Sequence, residues 1–129
     1  MKDLKDSFSA VVNLKLNNKG VNVVFDTGAG RSVIDVGSLE HLGLANTLKK
    51  PKTVLVNASG DTMEVIGVVD IIVNIRNMRP IKHEFTVINT KSYRNILIGR
   101  DFMKLFNKIF NFPKLFLFKE YFYKTFYQF

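Results

Sequence analysis

The sequence contains no cysteine among its 129 residues. Disulfide bonds, zinc sites built on thiolates and cysteine nucleophiles are therefore excluded. It also lacks any apolar run close to the roughly 20 residues that cross a bilayer, so we predict no transmembrane helix and no membrane partner. The start of the chain, Met1 to Asp6, is charged and has no apolar core of a secretory signal. We expect an intracellular, cytoplasmic protein.

The composition is that of one ordinary globular domain, with 47% hydrophobic and 23% charged residues. Acidic residues are scarce in the C-terminal part, and the formal charge of +8 comes mainly from residues 76–129. A basic surface of this kind attracts nucleic acid or an acidic partner. Because no nucleic-acid motif accompanies it, a solvated, lysine-rich surface is the favoured interpretation, and nucleic-acid binding is not expected.

An apolar run, Val23 to Phe25, ends abruptly in Asp26, Thr27 and Gly28. Such a run predicts a buried strand, and a carboxylate at its end lies where burial and neighbouring groups tune its acidity. The glycine two residues later lets backbone come close. A carboxylate at the end of a buried strand, followed by a glycine, is an arrangement that suits a catalytic acid. The alternative interpretation is an Asx turn that only ends the strand.

The segment from Phe25 to Ala29 resembles the active-site signature of retropepsin-like aspartic proteases, which occur in retroviruses, retrotransposons and DNA-damage-inducible ubiquitin-shuttle proteins. A second matching segment, Ile96 to Asp101, follows about seventy residues later. There these proteases place an apolar strand and a glycine beneath the active-site loop. The resemblance implies an all-β fold: a closed acid-protease barrel with a flap hairpin and one short C-terminal helix. The protease domain would cover residues 1–118, and an aromatic, basic tail would follow at 119–129.

The resemblance also implies roles for individual residues. Asp26 would be the catalytic carboxylate, Thr27 would lock two active-site loops together, and Gly28 would lend its backbone to the substrate. Substrate binding is implied for two residues of the same loop and three at the flap tip: Ala29, Gly30, Ala58, Ser59 and Gly60. No cofactor and no metal are expected.

Aspartic proteolysis requires two carboxylates that share a proton across a water molecule. The sequence has one Asp-Thr-Gly and no second one, and 129 residues cannot hold two copies of the fold. We therefore predict a homodimer in which both copies of Asp26 meet on a two-fold axis and cut a polypeptide, such as a retroelement polyprotein. The alternative is an inactive dimerisation or protein-binding module of the same fold. A third class, a basic nucleic-acid-binding β-barrel, rests only on charge and aromatic residues.

One departure from the family concerns Gly30. Many viral members carry an acidic residue at this position, which contacts substrate backbone and pairs with the arginine after the second glycine. That arginine, Arg100, therefore lacks its usual partner here, and we consider Asp35 or Asp101 as replacements. Substrate affinity and dimer strength both depend on this substitution.

Periodicity and turn residues predict most of the strands. They cover residues 7–16, 21–25, 31–34, 53–56, 63–75, 85–88, 96–99, 108–112 and 115–118. The first two are joined by a hairpin turn at 17–20. The long apolar run from Val65 to Ile75 is predicted to be buried on both faces, with Gly67 allowing a bend.

Two helices are predicted from their ends and spacing. Asp35 is the expected N-cap of a helix over residues 36–42, which Gly43 closes. Apolar residues at helical spacing predict a second helix from Arg100 to Phe106.

The turn at residues 57–61 joins two strand-like runs. By position it corresponds to the family's flap, a mobile hairpin that closes over substrate. An ordinary surface hairpin fits the sequence equally well.

The remaining motifs carry no chemistry. His41 and His83 have no partner at ligand spacing, so neither a zinc site nor a histidine-dependent triad is predicted. The glycines at Gly28 and Gly30 begin a dinucleotide fingerprint, but Val33 stands where its last glycine belongs. The tail has six aromatics in eleven residues, and it is expected to pack on the body or join an interface.

Overall fold

The computed structural model describes residues 9–50, 64–76, 78–89 and 96–110. In chain order these residues form β1 (Ser9–Leu16), β2 (Lys19–Asp26), β3 (Val33–Asp35), α1 (Val36–His41), a short 3₁₀ helix (Ala45–Thr47), β4 (Val65–Asn74), β5 (Ile81–Ile88), β6 (Ile96–Ile98) and α2 (Arg100–Phe110). The predicted flap turn, with Ala58, Ser59 and Gly60, lies outside the described residues. So do the strands predicted over 53–56 and 115–118 and the tail, and the domain boundary at residue 118 stays a prediction.

β1 and β2 form the predicted hairpin and pair antiparallel along their whole length. The turn holds Asn17 at φ 49° and Asn18 at φ 68°, a left-handed conformation that asparagine tolerates better than most residues. The predicted alternation is confirmed by the buried side chains on one face of β1: Val12, Leu14 and Leu16. The hairpin delivers Asp26 at the end of a fully paired strand.

The six strands of the described residues close into a barrel in the order β1-β2-β6-β3-β5-β4. β6 lies parallel to β2, with Ile98 opposite Phe25, and β3 lies parallel to β5. The largest fully buried side chains include Phe25, Phe85, Phe102, Phe106, Leu16 and Ile34. Because β2 and β6 run side by side in the same direction, the loop after Asp26 meets the segment that begins at Gly99.

β4 differs from its prediction on one face. Ile71 is fully buried, whereas Ile72 is 36% exposed and Asp70 is half-buried. The prediction of a strand buried on both faces is therefore wrong for this part, because the pleat turns alternate side chains towards solvent. A bend is predicted at Gly67, and the register of β4 against β5 shifts between Val65 and Gly67.

α1 confirms the prediction made from its ends. The Asp35 carboxylate is the N-cap and accepts a hydrogen bond from the Ser38 backbone N at 3.0 Å. Leu42 is the C-cap, and Gly43 follows at φ 74°, where a glycine carries no steric penalty. β3 begins at Val33, two residues later than predicted, and ends with Asp35 itself.

α2 is longer than predicted and runs to Phe110. The strand predicted over residues 108–112 is therefore wrong for residues 108–110. Phe102 and Phe106 are fully buried, and Ile109 packs partly buried against the same core. These apolar side chains continue at helical spacing, and their burial outweighs the local alternation that resembles a strand.

Candidate active site

Asp26 ends β2, directly after the fully buried Phe25, and is itself half-buried. Its Oδ1 accepts a hydrogen bond from the Gly28 backbone N at 2.8 Å, and its backbone carbonyl accepts one from Ala29 N at 3.1 Å. A Cβ at Gly28 would lie 3.1 Å from Asp26 Oδ1, tighter than ordinary contacts. The turn thus orients the carboxylate, and glycine permits the close approach. An Asx turn makes the same Gly28 hydrogen bond.

The loop after Asp26 is held from below by the start of α2. The Arg100 guanidinium donates from Nη1 to the Thr27 carbonyl at 2.9 Å, and the Arg100 backbone N donates to the Ala29 carbonyl at 2.8 Å. Asp101 N donates to the Gly30 carbonyl at 3.3 Å. One segment, the start of α2, therefore fixes three of the four backbone carbonyls from Thr27 to Gly30.

Gly99 makes this close approach possible. A Cβ at this position would lie 2.7 Å from the Ala29 carbonyl oxygen and 2.8 Å from that of Arg31, both backbone atoms. No larger residue fits there without a backbone shift. The predicted packing of the second matching segment against the loop after Asp26 is therefore confirmed.

Ser32 and Asp101 extend this support and were not singled out together from the sequence. Ser32 is fully buried, and its backbone N and Oγ donate to the Asp101 carboxylate at 3.0 Å and 2.8 Å. Ser32 Oγ also accepts from Gly99 N at 3.1 Å. A serine two residues after Gly30 and a carboxylate two residues after Gly99 are the sequence signal, but their pairing depends on the fold.

The pKa of the Asp101 carboxyl lies below its usual value. Burial raises this pKa, but contact with His83 and hydrogen bonds from Ser32, together with the charge on His83, more than offset the burial. The His83 Nε2 lies 3.1 Å from Asp101 Oδ2. Asp101 is therefore held as a carboxylate beside the loop that follows Asp26.

Arg100 does not pair with either replacement carboxylate that we considered. Asp35 caps α1, and Asp101 contacts Ser32 and His83. Within the described ranges no carboxylate lies within ion-pair distance of Arg100. A Cβ at Gly30 would lie 3.4 Å from Arg100 Nη2, so the guanidinium faces the position that a side chain at residue 30 would occupy.

The described residues contain no group of three or more His, Cys, Asp or Glu side chains that could hold a metal ion. His41 lies exposed at the end of α1, and His83 lies beside Asp101. In the same part of the chain, no helix is long and apolar enough to cross a membrane.

Solved structures share this fold. The EIAV protease in complex with the inhibitor HBY-793 matches with a TM-score of 0.60 at 19% identity, over 83% of this chain and 94% of that one. The retroviral protease-like domain of Ddi1 from Leishmania major matches with a TM-score of 0.60 at 25% identity, over 74% and 75%. A retropepsin-like aspartic protease from Rickettsia conorii matches with a TM-score of 0.53 at 17% identity, over 77% and 80%. The barrel is therefore retropepsin-like.

The sequence matches the profile of the family described as "gag-polyprotein putative aspartyl protease" over residues 12–105. This span covers most of the chain and includes both the loop after Asp26 and the segment from Gly99. The chain belongs to this family. Among curated proteins, no sequence matches it significantly.

Proposed function

We propose that this protein is an aspartic endopeptidase that works as a homodimer, with Asp26 of each copy contributing one carboxylate. The observation that carries the proposal is the support of the loop after Asp26, which α2 fixes at Thr27, Ala29 and Gly30 through hydrogen bonds of 2.8 to 3.3 Å. A turn that only ends a strand does not need this support, whereas a reacting group must be held in one place. Membership of an aspartyl protease family supports the same conclusion.

In this proposal the second carboxylate comes from another copy of the chain. Among the carboxylates of the described residues, Asp35 caps α1, Asp70 pairs with Lys49, and Asp101 contacts Ser32. The sequence contains no second Asp-Thr-Gly. A two-fold axis beside the loop would bring two copies of Asp26 together, which is the commonest symmetry of homo-oligomers.

In the proposed reaction a water molecule lies between the two Asp26 side chains. The ionised carboxylate takes a proton from the water as the water oxygen attacks the peptide carbonyl, and the protonated carboxyl gives its proton to the carbonyl oxygen. The first carboxyl then protonates the leaving amide nitrogen as the peptide bond breaks. Two adjacent carboxylates do not both ionise easily, so the pair shares one proton and we expect activity at acidic to near-neutral pH.

The other site residues follow from their place in this arrangement. Thr27, which is 5% exposed, would tie the two loops together across the axis. Gly28, Ala29 and Gly30 would offer backbone to an extended polypeptide. The flap tip, residues 58–60, would close over the substrate and exclude water. The family description supports a polyprotein as the substrate.

The test is cleavage of a denatured protein between pH 4 and 7, with the mass of each sample in solution recorded alongside. We expect the wild-type chain to cut as a dimer and Asp26→Asn to form the dimer without cutting. Asp70→Asn is the matched control, because it removes a carboxylate of a surface pair with Lys49 and should cut normally. Cleavage by Asp26→Asn would overturn the proposal, and a folded wild-type dimer that never cuts would favour a protein-binding module.

A further inference from the structure

His83 is a buried ionisable side chain that the proposed reaction does not use. It lies on β5 with a side chain 10% exposed. Its ring packs edge-on against Phe85 and Phe102, with ring centroids 5.6 Å and 5.3 Å apart. These two aromatic rings hold the imidazole in place and direct its Nε2 to Asp101.

The contact between His83 and Asp101 has the character of an ion pair. Nε2 lies 3.1 Å from Asp101 Oδ2, but it does not meet the geometry of a hydrogen bond, and no other partner for this buried nitrogen exists among the described residues. Coulomb attraction does not need an aligned N–H, so a protonated imidazole binds the carboxylate in this position. A neutral ring leaves a buried polar atom without a partner.

The surroundings of His83 leave Asp101 as its ionic partner. On β4 its register partner is the apolar Ile71, and α2 contributes Asp101 and the Phe102 ring. Its neighbours on β5, Lys82 and Glu84, are exposed and alternate to the opposite face of the strand. Among the described residues, Asp101 is the acidic side chain within ion-pair distance of His83.

We propose that His83 is a positioning residue of the active site, which acts through Asp101 on the loop after Asp26. Asp101 fixes Ser32 through two hydrogen bonds and the Gly30 carbonyl through its own backbone N. The His83 Nε2 approaches Asp101 Oδ2, the same oxygen that accepts the hydrogen bond from the Ser32 backbone N. The inference rests on the proposed peptidase function, because it concerns the same loop.

The attraction between His83 and Asp101 depends on the positive charge of a protonated imidazole, which acid favours. Without that charge, Asp101 keeps its hydrogen bonds to Ser32 but loses the attraction of His83. Asp26 should then be held less precisely, and the rate of catalysis should fall.

The first test compares kcat and KM of the wild-type chain, His83→Gln and His41→Gln from pH 4.5 to 7.5. The ratio of the variant's kcat to the wild-type kcat at each pH cancels any pH dependence that both proteins share through the Asp26 pair. We expect kcat of His83→Gln to be lower by about tenfold at the acidic end of this range, with KM changed less than twofold, and the difference to shrink as pH rises. The exposed His41→Gln should match wild type throughout. A ratio near one, or a ratio that does not change with pH, would overturn the inference.

A second test does not depend on cleavage and uses the Asp26→Asn chain, in which the catalytic pair cannot titrate. NMR follows the His83 ring and the amides of Gly28 and Ala29 as pH is raised. We expect the amide shifts to follow the titration of the ring, and His83→Gln in the same background to abolish that response. Amide shifts that stay constant while the His83 ring changes its protonation would overturn the positioning role. This outcome is readable even if the wild-type chain has no peptidase activity. If the wild-type chain does not cut but the amide shifts follow the ring, the proposed function is rejected and the positioning role of His83 stands.

Discussion

The Arg100 guanidinium donates a hydrogen bond to the backbone carbonyl of Thr27 across 2.9 Å. The first side chain of α2 therefore fixes the residue that follows the candidate catalytic carboxylate. The backbone N of the same arginine holds the Ala29 carbonyl at 2.8 Å. The first contact uses the side chain of Arg100 and the second uses its backbone. Substitution of Arg100 therefore removes the first contact and leaves the second.

We expect Arg100→Ala to lower kcat by about tenfold, since the loss of one charged hydrogen bond of about 1.5 kcal/mol loosens the loop while the backbone contact to Ala29 survives. Arg100→Lys keeps the charge but loses the planar fork, and should recover only part of the activity. Lys104→Ala is the matched control on an exposed position of the same helix. The measurement is the steady-state cleavage rate of each of the three variants. Equal rates for Arg100→Ala and Lys104→Ala would contradict this role.

Gly99→Ala should destabilise the fold as well as the site. The added Cβ would meet the carbonyl oxygens of Ala29 and Arg31 at 2.7 Å and 2.8 Å, and overpacking of this kind costs about 1 to 3 kcal/mol. Urea unfolding measures the loss. Gly20→Ala is the control, because its Cβ has ordinary contact at 3.7 Å from Asn13 Oδ1. If both variants unfold at the same urea concentration, the backbone at Gly99 is not as constrained as the structure indicates.

Features of the fold that depend on neighbouring residues could be predicted from the sequence. The Asn17 and Asn18 turn follows from their tolerance of positive φ, and the first helix follows from Asp35 and Gly43 at its two ends. The acid loop could be predicted as well, because an apolar run that stops at Asp26 is a local pattern. Each of these signals lies within a few residues of the structure it determines.

Features that depend on distant packing could not be predicted in the same way. The alternation at Lys108 to Phe110 resembles a strand, but the buried Phe106 and the partly buried Ile109 extend the helix. Ser32, His83 and Asp101 are far apart in the chain and meet only because β3 lies parallel to β5 and α2 starts beside both. A histidine in a strand, taken alone, does not indicate such a partner.

Asp101 should make stability depend on pH in a defined direction. Its pKa is lower in the folded protein than its usual value. The ionised Asp101 carboxylate therefore stabilises the folded protein fully above its unfolded-state pKa of about 3.9. This stabilisation disappears as pH falls through the folded-state pKa. Urea unfolding of wild type and Asp101→Asn should differ most at pH 6 and converge towards pH 2. A difference that stays constant across this range would contradict the ionic role of the carboxylate.

Gly30→Asp should create the carboxylate partner that Arg100 does not have among the described residues. The backbone at Gly30 is outside the left-handed region, and a Cβ there would lie 3.4 Å from Arg100 Nη2, so an aspartate fits with little adjustment. An exposed pair of this kind is worth about 0.5 kcal/mol, and salt should weaken it.

The measurement for Gly30→Asp is a double-mutant cycle with Arg100→Lys, monitored by urea unfolding at low and high salt. Gly30→Asn is the matched control, because it loses the same glycine flexibility without adding a charge. We expect Gly30→Asp to be more stable than Gly30→Asn in the presence of Arg100, and the advantage to fall with Lys at position 100 because the carboxylate loses the guanidinium fork. If aspartate and asparagine have equal effects, Arg100 does not face the side chain at position 30. The guanidinium would then act on the loop only through the Thr27 carbonyl.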